Sequence, residues 1–357
     1  MSEEYITIDA ARLENYAFEM LVGAGVPMDR AALVSRSLVE ANLRGVDSHG
    51  VQLLNFYIEH MKQGCMDLHT SGSIVTESGG CMTYDAENGI GQVISDICCD
   101  HAIRLAKENG IALVTVRNSN HFGAAAFWSQ KIARAGLIGM TMCNATPLVP
   151  PWQGKEPRFG TNPICMALPG APETGWLLDM ATTTVAMGKI FKANFSGEPT
   201  IPAGWAFDSE GTPTTDTQKA IKGMPMPLGG YKGSGLAFMV EILVAVLSGG
   251  AMSTEVGGVR IRTRPMRCGQ MFLGIDVERY MPIEVFNARM EQLIGLVKAT
   301  PAAPGYEEVL VAGEPEWRHA RHRRLHGVPL SKGVWENLAR TASIVQAKPP
   351  AVESQKL

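Results

Sequence analysis

Within seven residues, Arg44-Gly45-Val46-Asp47-Ser48-His49-Gly50 gathers a guanidinium, a carboxylate, a hydroxyl and an imidazole. Those are the groups that move a proton and hold an anionic substrate. A second imidazole stands in Asn118-Ser119-Asn120-His121-Phe122-Gly123, where the asparagines add amide donors and acceptors. A third stretch, Gly229-Gly230-Tyr231-Lys232-Gly233-Ser234-Gly235, puts one cation among four glycines. Glycine lets a backbone approach a ligand closely, and a lysine there suits a phosphate or a carboxylate. Asp179 ends the apolar run Trp176-Leu177-Leu178, a place from which a carboxylate can bond ribose hydroxyls. Each has a structural alternative. Ser48 and Asp179 can be helix caps, the asparagines turn residues, and Lys232 a solvated lysine on a tight turn.

The elements that must position these groups follow from periodicity and punctuation. A helix starts near Asp29 with apolar positions Leu33, Leu38 and Leu43, and Gly45 falls where a C-terminal glycine belongs. Val51, Leu54, Phe56, Ile58 and Met61 mark another helix, with Ser48 as its N-cap and His49 in its first turn. The helix dipole there disfavours the imidazolium and leaves a neutral base. Ile111 to Val116 is a β-branched buried strand, followed by the Asn118–Gly123 turn and a helix over 124–135. His121 is thus placed near a helix start. Helices are expected over 96–108 and 182–192, from Leu236 to Leu247, and over 282–297 and 333–342; strands over 137–143, 164–168, 176–179 and 270–275. The glycine-, proline- and threonine-rich stretch 194–228 reads mostly as loop.

The fold class is α/β. Residues 1–78 with 300–345 form a helical domain, 79–299 a cofactor-binding and catalytic α/β domain, and 346–357 a disordered tail. The 357 residues are 45% hydrophobic and carry a net charge of −3, which gives no reason to expect a nucleic-acid partner. No apolar run is long enough to span a bilayer, and the acidic start MSEEYITIDAAR has no signal-peptide core. Seven scattered cysteines without a C-x-x-C pair fit reduced thiols and a cytoplasmic protein; Cys98-Cys99 reads as one buried and one half-buried thiol. Neither Gly233-Ser234-Gly235 nor Gly89-Ile90-Gly91 completes a Rossmann fingerprint, and the lysine cluster is not a P-loop. His319 and His322 lie among four arginines, which favours a solvated basic face over a metal site, and no metal is expected.

Taken in order, RGVDSHG, NSNHFGAAAFW, FGTNPICMALP, LLDMATTTVAMGKI and LGGYKGSGLAFMVEIL resemble the malate/L-lactate dehydrogenase family of non-Rossmann oxidoreductases over about residues 8–340. That family includes ureidoglycolate, sulfolactate and diketogulonate dehydrogenases and cyclic-imine reductases. The resemblance implies a non-Rossmann cofactor domain around a mixed, largely antiparallel sheet, a helical domain from both chain ends, and a homodimer with its active site near the interface. It implies NAD or NADP held by Ala145, Asp179, Met180, Ala181, Lys232 and Gly233, and by Gly313, Glu314 and Glu316. It places His49 and His121 in the proton-handling roles and Ser48 beside a small-molecule substrate, with Arg44 and Asn162 as further substrate-binding candidates. Many relatives carry an arginine four residues after the first histidine, where this chain has Leu53. Hydride transfer between the cofactor and C2 of a small 2-hydroxy/2-oxo acid is the leading expectation. Reduction of a cyclic imine carboxylate and a Schiff-base lyase using Lys232 are the alternatives.

Overall fold

A computed structural model describes residues 4–170, 175–261, 263–350 and 353–356. The chain opens with strand β1 (Glu4–Ile8) and helices α1 (Ala10–Gly23), α2 (Met28–Leu43) and α3 (Leu54–Lys62). Strands β2 (Ser73–Ser78) and β3 (Cys81–Asp85) lead to α4 (Gly91–Asn109), β4 (Ile111–Ser119), α5 (Ala125–Arg134) and β5 (Leu137–Cys143). Next come β6 (Ile164–Ala167), β7 (Leu177–Met180) and α6 (Met187–Phe195). A small lobe follows, made of β8 (Ala206–Phe207), β9 (Pro213–Thr214), α7 (Thr217–Lys222) and β10 (Met224–Pro225). Helix α8 (Tyr231–Glu241) runs into a π-helical turn, Ile242–Val246. The chain ends with β11 (Cys268–Asp276), α9 (Ile283–Lys298), α10 (Glu314–His326), β12 (Val328–Ser331), α11 (Lys332–Ile344) and β13 (Glu353–Lys356).

Seven strands form the main sheet in the order β2-β3-β4-β11-β5-β6-β7. Only the β3–β4 pair is parallel; every other neighbour is antiparallel. This is the mixed, largely antiparallel sheet expected, and β2 joins it although the sequence reading puts Ser73–Ser78 in the helical part. Helix α4 packs on the sheet with one face and on α2 and α5 with others. Cys98 and Cys99 are therefore both fully buried, correcting the half-buried expectation. All seven cysteines are free thiols.

A second core gathers Leu13, Met20, Val34, Leu38, Leu54 and Tyr57 from the first three helices with Ala320, Leu338 and Ala342 from the last two. The chain's end thus returns to its start. Two strands unread in the sequence seal this junction: β12 pairs with β1 on one edge and β13 on the other. Glu353–Lys356 lies in the tail expected to be disordered; the free edge of β1 supplies the backbone partners that the sequence could not reveal.

Three helix expectations shift. The helix expected from Leu236 starts at Tyr231, on the glycine cluster itself. Helix α4 begins five residues before Asp96, at Gly91, because a Cβ there would meet the carbonyls of Asn120 and His121 at 2.3 Å, so only glycine can start the helix against that turn. Residues 182–186 are not helical. Thr182 and Thr184 pair through their backbones with Thr161, Met226 and Leu228, which suits a β-branched run.

Candidate active site

The turn that carries His49 is fastened from two sides. Helix α2 ends at Leu43, and Gly45 follows at φ +79 with His319 packed so close that a Cβ would sit 3.0 Å from its Nδ1. Asp47–His49 forms one 3-10 turn and Val51–Leu53 a second before α3 begins, so Ser48 is not a helix N-cap and His49 is not in the first turn of α3. Asn42, almost fully buried, ties the turn down: its Nδ2 donates to Asp47 Oδ1 at 2.6 Å and its Oδ1 accepts from Val51 N–H at 2.8 Å. Arg323 of α10 grips the same Asp47 carboxylate with both terminal nitrogens, at 2.7 and 3.1 Å. Asp47 is thus held away from His49; Ser48 Oγ instead meets His49 Nδ1 at 3.0 Å.

His121 comes from the β4–α5 connection. Its ring stacks on that of His49, with centroids 5.6 Å apart and planes 21° from parallel. Sixty-four residues upstream, Tyr57 places its hydroxyl 2.6 Å from His121 Nδ1. Burial lowers the pKa of His49. Burial, with His49 adding to it, pulls His121 down to about 3. Both imidazoles are therefore neutral at neutral pH, through crowding by protein and not through the helix dipole that the sequence suggested. The neighbouring asparagines are scaffold. Asn118, at φ +55, donates to Asp85, and Asn120 donates to the carbonyls of Asn88 and Gly89, so neither amide nitrogen is free to orient a ligand.

The end of β7 is where the expected cofactor residues meet. Asp179 is solvent-accessible, yet its Oδ2 accepts the N–H of Ala126, in the first turn of α5, at 3.0 Å. It thus caps the helix that starts four residues after His121, which links this region to the histidines. Desolvation, partly offset by that N–H and by Arg44, raises Asp179 to about 6. Gly233 packs its α-carbon on the backbone of Leu228 and Thr182, with a Cβ at 2.4 Å from Leu228 N, so α8 begins beside Asp179-Met180-Ala181. This is close packing within the protein. Lys232 is exposed in the first turn of α8, which has no side-chain cap. Ala312 accepts the N–H of Leu177 at 3.1 Å, bringing Gly313 and α10 to the other end of β7. Ala145 N–H donates to Asn162 Oδ1 at 3.2 Å, next to the β6–β7 pair.

A dinucleotide fits this surface. It offers an accessible carboxylate, an exposed lysine and an uncapped helix N-terminus within reach of one strand end. Arg44 adds to it: buried, stacked 4.4 Å over the Trp317 ring, it keeps Nε and Nη1 without hydrogen-bond partners. Asp179 and Glu316 are the charges it feels beside Glu40.

Several expected roles change in detail. Arg44 stacks on Trp317 and feels the charge of Asp179. Asn162 is fully buried and its amide is taken up by Ala145, Ala237 and Glu241, so it holds the scaffold and does not reach a substrate. Glu314 is engaged by Lys298 and the Val311 N–H. Of the basic run, Arg318, His319, Arg321, His322 and Arg324 are exposed, as a solvated face should be, while Arg318 pairs with Glu308, Arg323 with Asp47 and Arg324 with Glu40. Leu53 is 5% exposed and belongs to the helical core. Lys232 lacks the desolvated pocket a Schiff-base lysine requires. Sequence reasoning missed Tyr57, Gln92 and Trp317, whose spacing marks them only as apolar or helical positions. Among the described residues no cluster of three or more His, Cys, Asp or Glu side chains is arranged to hold a metal.

The malate/L-lactate dehydrogenase family model matches residues 8–339. Malate dehydrogenase of Pyrococcus horikoshii is 36% identical over 97% of both chains. Ureidoglycolate dehydrogenase (NAD(+)) of Escherichia coli is 33% identical over 90% of this chain and 92% of that one. Among solved structures, malate dehydrogenase from Entamoeba histolytica superposes with a TM-score of 0.91 at 27% identity, over 97% of this chain and all of the other. The delta1-piperideine-2-carboxylate reductase of Pseudomonas syringae gives 0.81 at 26% identity, over 94% of this chain and 99% of that one. The chain belongs to the malate/L-lactate dehydrogenase family of oxidoreductases.

Proposed function

We propose that this protein transfers hydride between a nicotinamide cofactor, NAD or NADP, and C2 of a small 2-hydroxy/2-oxo acid. The observation that carries the reading is the stacked, neutral pair His49 and His121, joined through the α5 N-terminus to Asp179. When bound, nicotinamide takes or gives the hydride. Asp179 accepts hydrogen bonds from ribose hydroxyls, while Lys232 and the open start of α8 attract phosphate. His49 takes the hydroxyl proton on Nε2, the nitrogen that Ser48 leaves free, as hydride leaves the same carbon. His121 holds the substrate oxygen. Arg44, with two unpartnered nitrogens, serves an anionic group of substrate or cofactor.

The relative named for NAD(+) supports that cofactor. A cyclic imine carboxylate is the second reading, supported by the likeness to the delta1-piperideine-2-carboxylate reductase of Pseudomonas syringae. Free thiols support a cytoplasmic setting. No helix among the described residues is long and apolar enough to cross a membrane. A homodimer is supported by the exposed apolar stripe Tyr231, Phe238, Ile242 and Val246, spaced at helical intervals. The test is NADH and NADPH absorbance against a panel of 2-oxo acids and cyclic imines. His49→Asn should lower kcat by a factor of about 10² to 10⁴ and remove one limb of the pH–rate profile, with His121→Asn costing less. Loss of the pH limb in His121→Asn alone would reverse the two roles.

A further inference from the structure

Behind His121 lies a chain of buried polar groups that the reaction above does not use. The Tyr57 hydroxyl is 2.6 Å from His121 Nδ1. Gln92, near the start of α4, donates from Nε2 to the Tyr57 oxygen at 3.2 Å. Tyr57 and Gln92 are each 1% exposed, so no water competes with these bonds. The Gly123 N–H donates to His121 Nδ1 at 3.2 Å and also faces the phenol oxygen.

The direction of this chain follows from what each group can donate. A backbone N–H cannot reverse, so the Gly123 bond requires a lone pair on His121 Nδ1. The phenol oxygen receives a hydrogen from Gln92 and lies 2.6 Å from a nitrogen that carries a lone pair, so its own hydrogen points to Nδ1 as well. Two donors then converge on one nitrogen, and a proton cannot be added there without turning both away. We propose that Tyr57, backed by Gln92, is a positioning residue that locks His121 as the neutral tautomer carrying its proton on Nε2. Rested on the proposed dehydrogenase reading, this makes His121 a fixed hydrogen-bond donor to the substrate oxygen. It leaves His49, whose Nδ1 meets only the adaptable Ser48 hydroxyl, as the group that gains and loses a proton.

The titratable groups facing His121 are His49 from the turn after α2 and Tyr57 from α3, with Cys268 of β11 beyond Tyr57. None supplies a negative charge at neutral pH that would favour an imidazolium.

The test reads the tautomer directly. In full-length protein with 15N-labelled histidine, long-range proton–nitrogen correlation, assigned with His121→Gln, distinguishes a protonated from an unprotonated ring nitrogen. We expect wild-type His121 to carry its proton on Nε2 and to show no titration between pH 5 and 8. Tyr57→Phe keeps the ring's volume and removes the donor; His121 should then populate both tautomers and titrate at higher pH. The variant's kcat should fall about tenfold or more with the cofactor KM unchanged. Gln92→Glu offers the phenol an acceptor instead, which should turn the Tyr57 hydrogen away from His121 and loosen the same lock. Should Tyr57→Phe fail to fold, the wild-type spectrum and Gln92→Glu decide the matter. A proton on Nδ1 in the wild type, or a His121 signal indifferent to both substitutions, overturns the proposal. The spectra need no substrate, so they fail or succeed independently of the dehydrogenase reading, which the absorbance panel tests.

Discussion

Asn42→Ala should disable the enzyme without touching a reacting atom. The amide bridges Asp47 and the Val51 N–H across the turn that carries His49. Truncation leaves the Val51 N–H buried without a partner, a cost of about 1–3 kcal/mol. Loss of the Asp47 bond adds less, because that carboxylate is 44% exposed and keeps Arg323. The sum is about 2–4 kcal/mol, a large share of the roughly 5–15 kcal/mol typical of a domain. Urea denaturation should show the midpoint falling at unchanged slope. kcat should fall with it while the cofactor KM holds, since Asp179 and Lys232 sit on other elements. A second substitution sharpens the test. A Cβ on Gly50 would lie 2.1 Å from Asn42 Oδ1, so Gly50→Ala alone should be damaging. Combined with Asn42→Ala the clash disappears, and the double variant should be more stable than the sum of the singles implies. Simple additivity, or an Asn42→Ala protein with wild-type midpoint and kcat, would refute this account of how the turn is held.

Acid should destabilise the protein through its histidines. His49 and His121 are held below the ordinary histidine value, His121 at about 3, so below about pH 6.5 the unfolded chain binds protons that the native one refuses. Stability from these groups is complete above that pH and falls as pH drops toward 3. Asp179, raised to about 6, opposes the trend within its narrower window, since its native form binds the extra proton there. The urea midpoint measured from pH 7 to 4 should therefore slope less in a His49→Asn/His121→Asn protein; an unchanged slope would contradict the assignment. Cofactor affinity should weaken below about pH 6 as Asp179 loses its charge, and Asp179→Asn should flatten that dependence; Lys232→Ala should weaken binding at every pH, all by fluorescence titration of NADH and NADPH. Leu53→Arg should lower the melting temperature without improving turnover of plain 2-oxo acids, because the side chain would be buried among Val51, Leu54 and Ile58; improved turnover would place the position at the substrate.

Five strands of the main sheet and the end of α2 were legible because their signals are local. A strand such as β4 needs no strict alternation, since its β-branched run and the glycine before it, Gly110, suffice to mark it. Gly45 marks the end of α2, and the chain takes a positive φ there. What sequence could not show is pairing at a distance. Asp47 stands two residues before His49, and proximity in the chain suggested a carboxylate–imidazole pair; in space Arg323, 276 residues away, claims the carboxylate. Tyr57 sits at a core position of α3 and reads as apolar packing, yet its one polar side-chain atom reaches a histidine 64 residues on. The short strands β1 and β12 do alternate, with Ile8, Val328 and Leu330 in the helical core, but at five and four residues each is too short to stand out, and β13 is set by its pairing with β1.

The absence of a Rossmann glycine pattern has a physical counterpart in how this site treats helix ends. A helix start is a partial positive charge that either receives a side-chain acceptor or remains available to an anion. Helices α5 and α8 both begin near the end of β7, and neither has a cap from its own N-cap residue. At α5 the gap is filled across the fold by Asp179, which neutralises that end and leaves the rest of the carboxylate for hydroxyl donors. At α8 the Gly233 N–H is taken by the Leu228 carbonyl at 2.7 Å, but no side chain among the described residues caps the end, and Lys232 adds a full positive charge in the first turn. One side of the proposed cradle therefore favours hydroxyl groups and the other favours phosphate. A dinucleotide carries both chemistries along its length, so in the proposed site this unequal treatment of two neighbouring helix ends would orient the cofactor without any glycine-rich loop wrapped around its pyrophosphate.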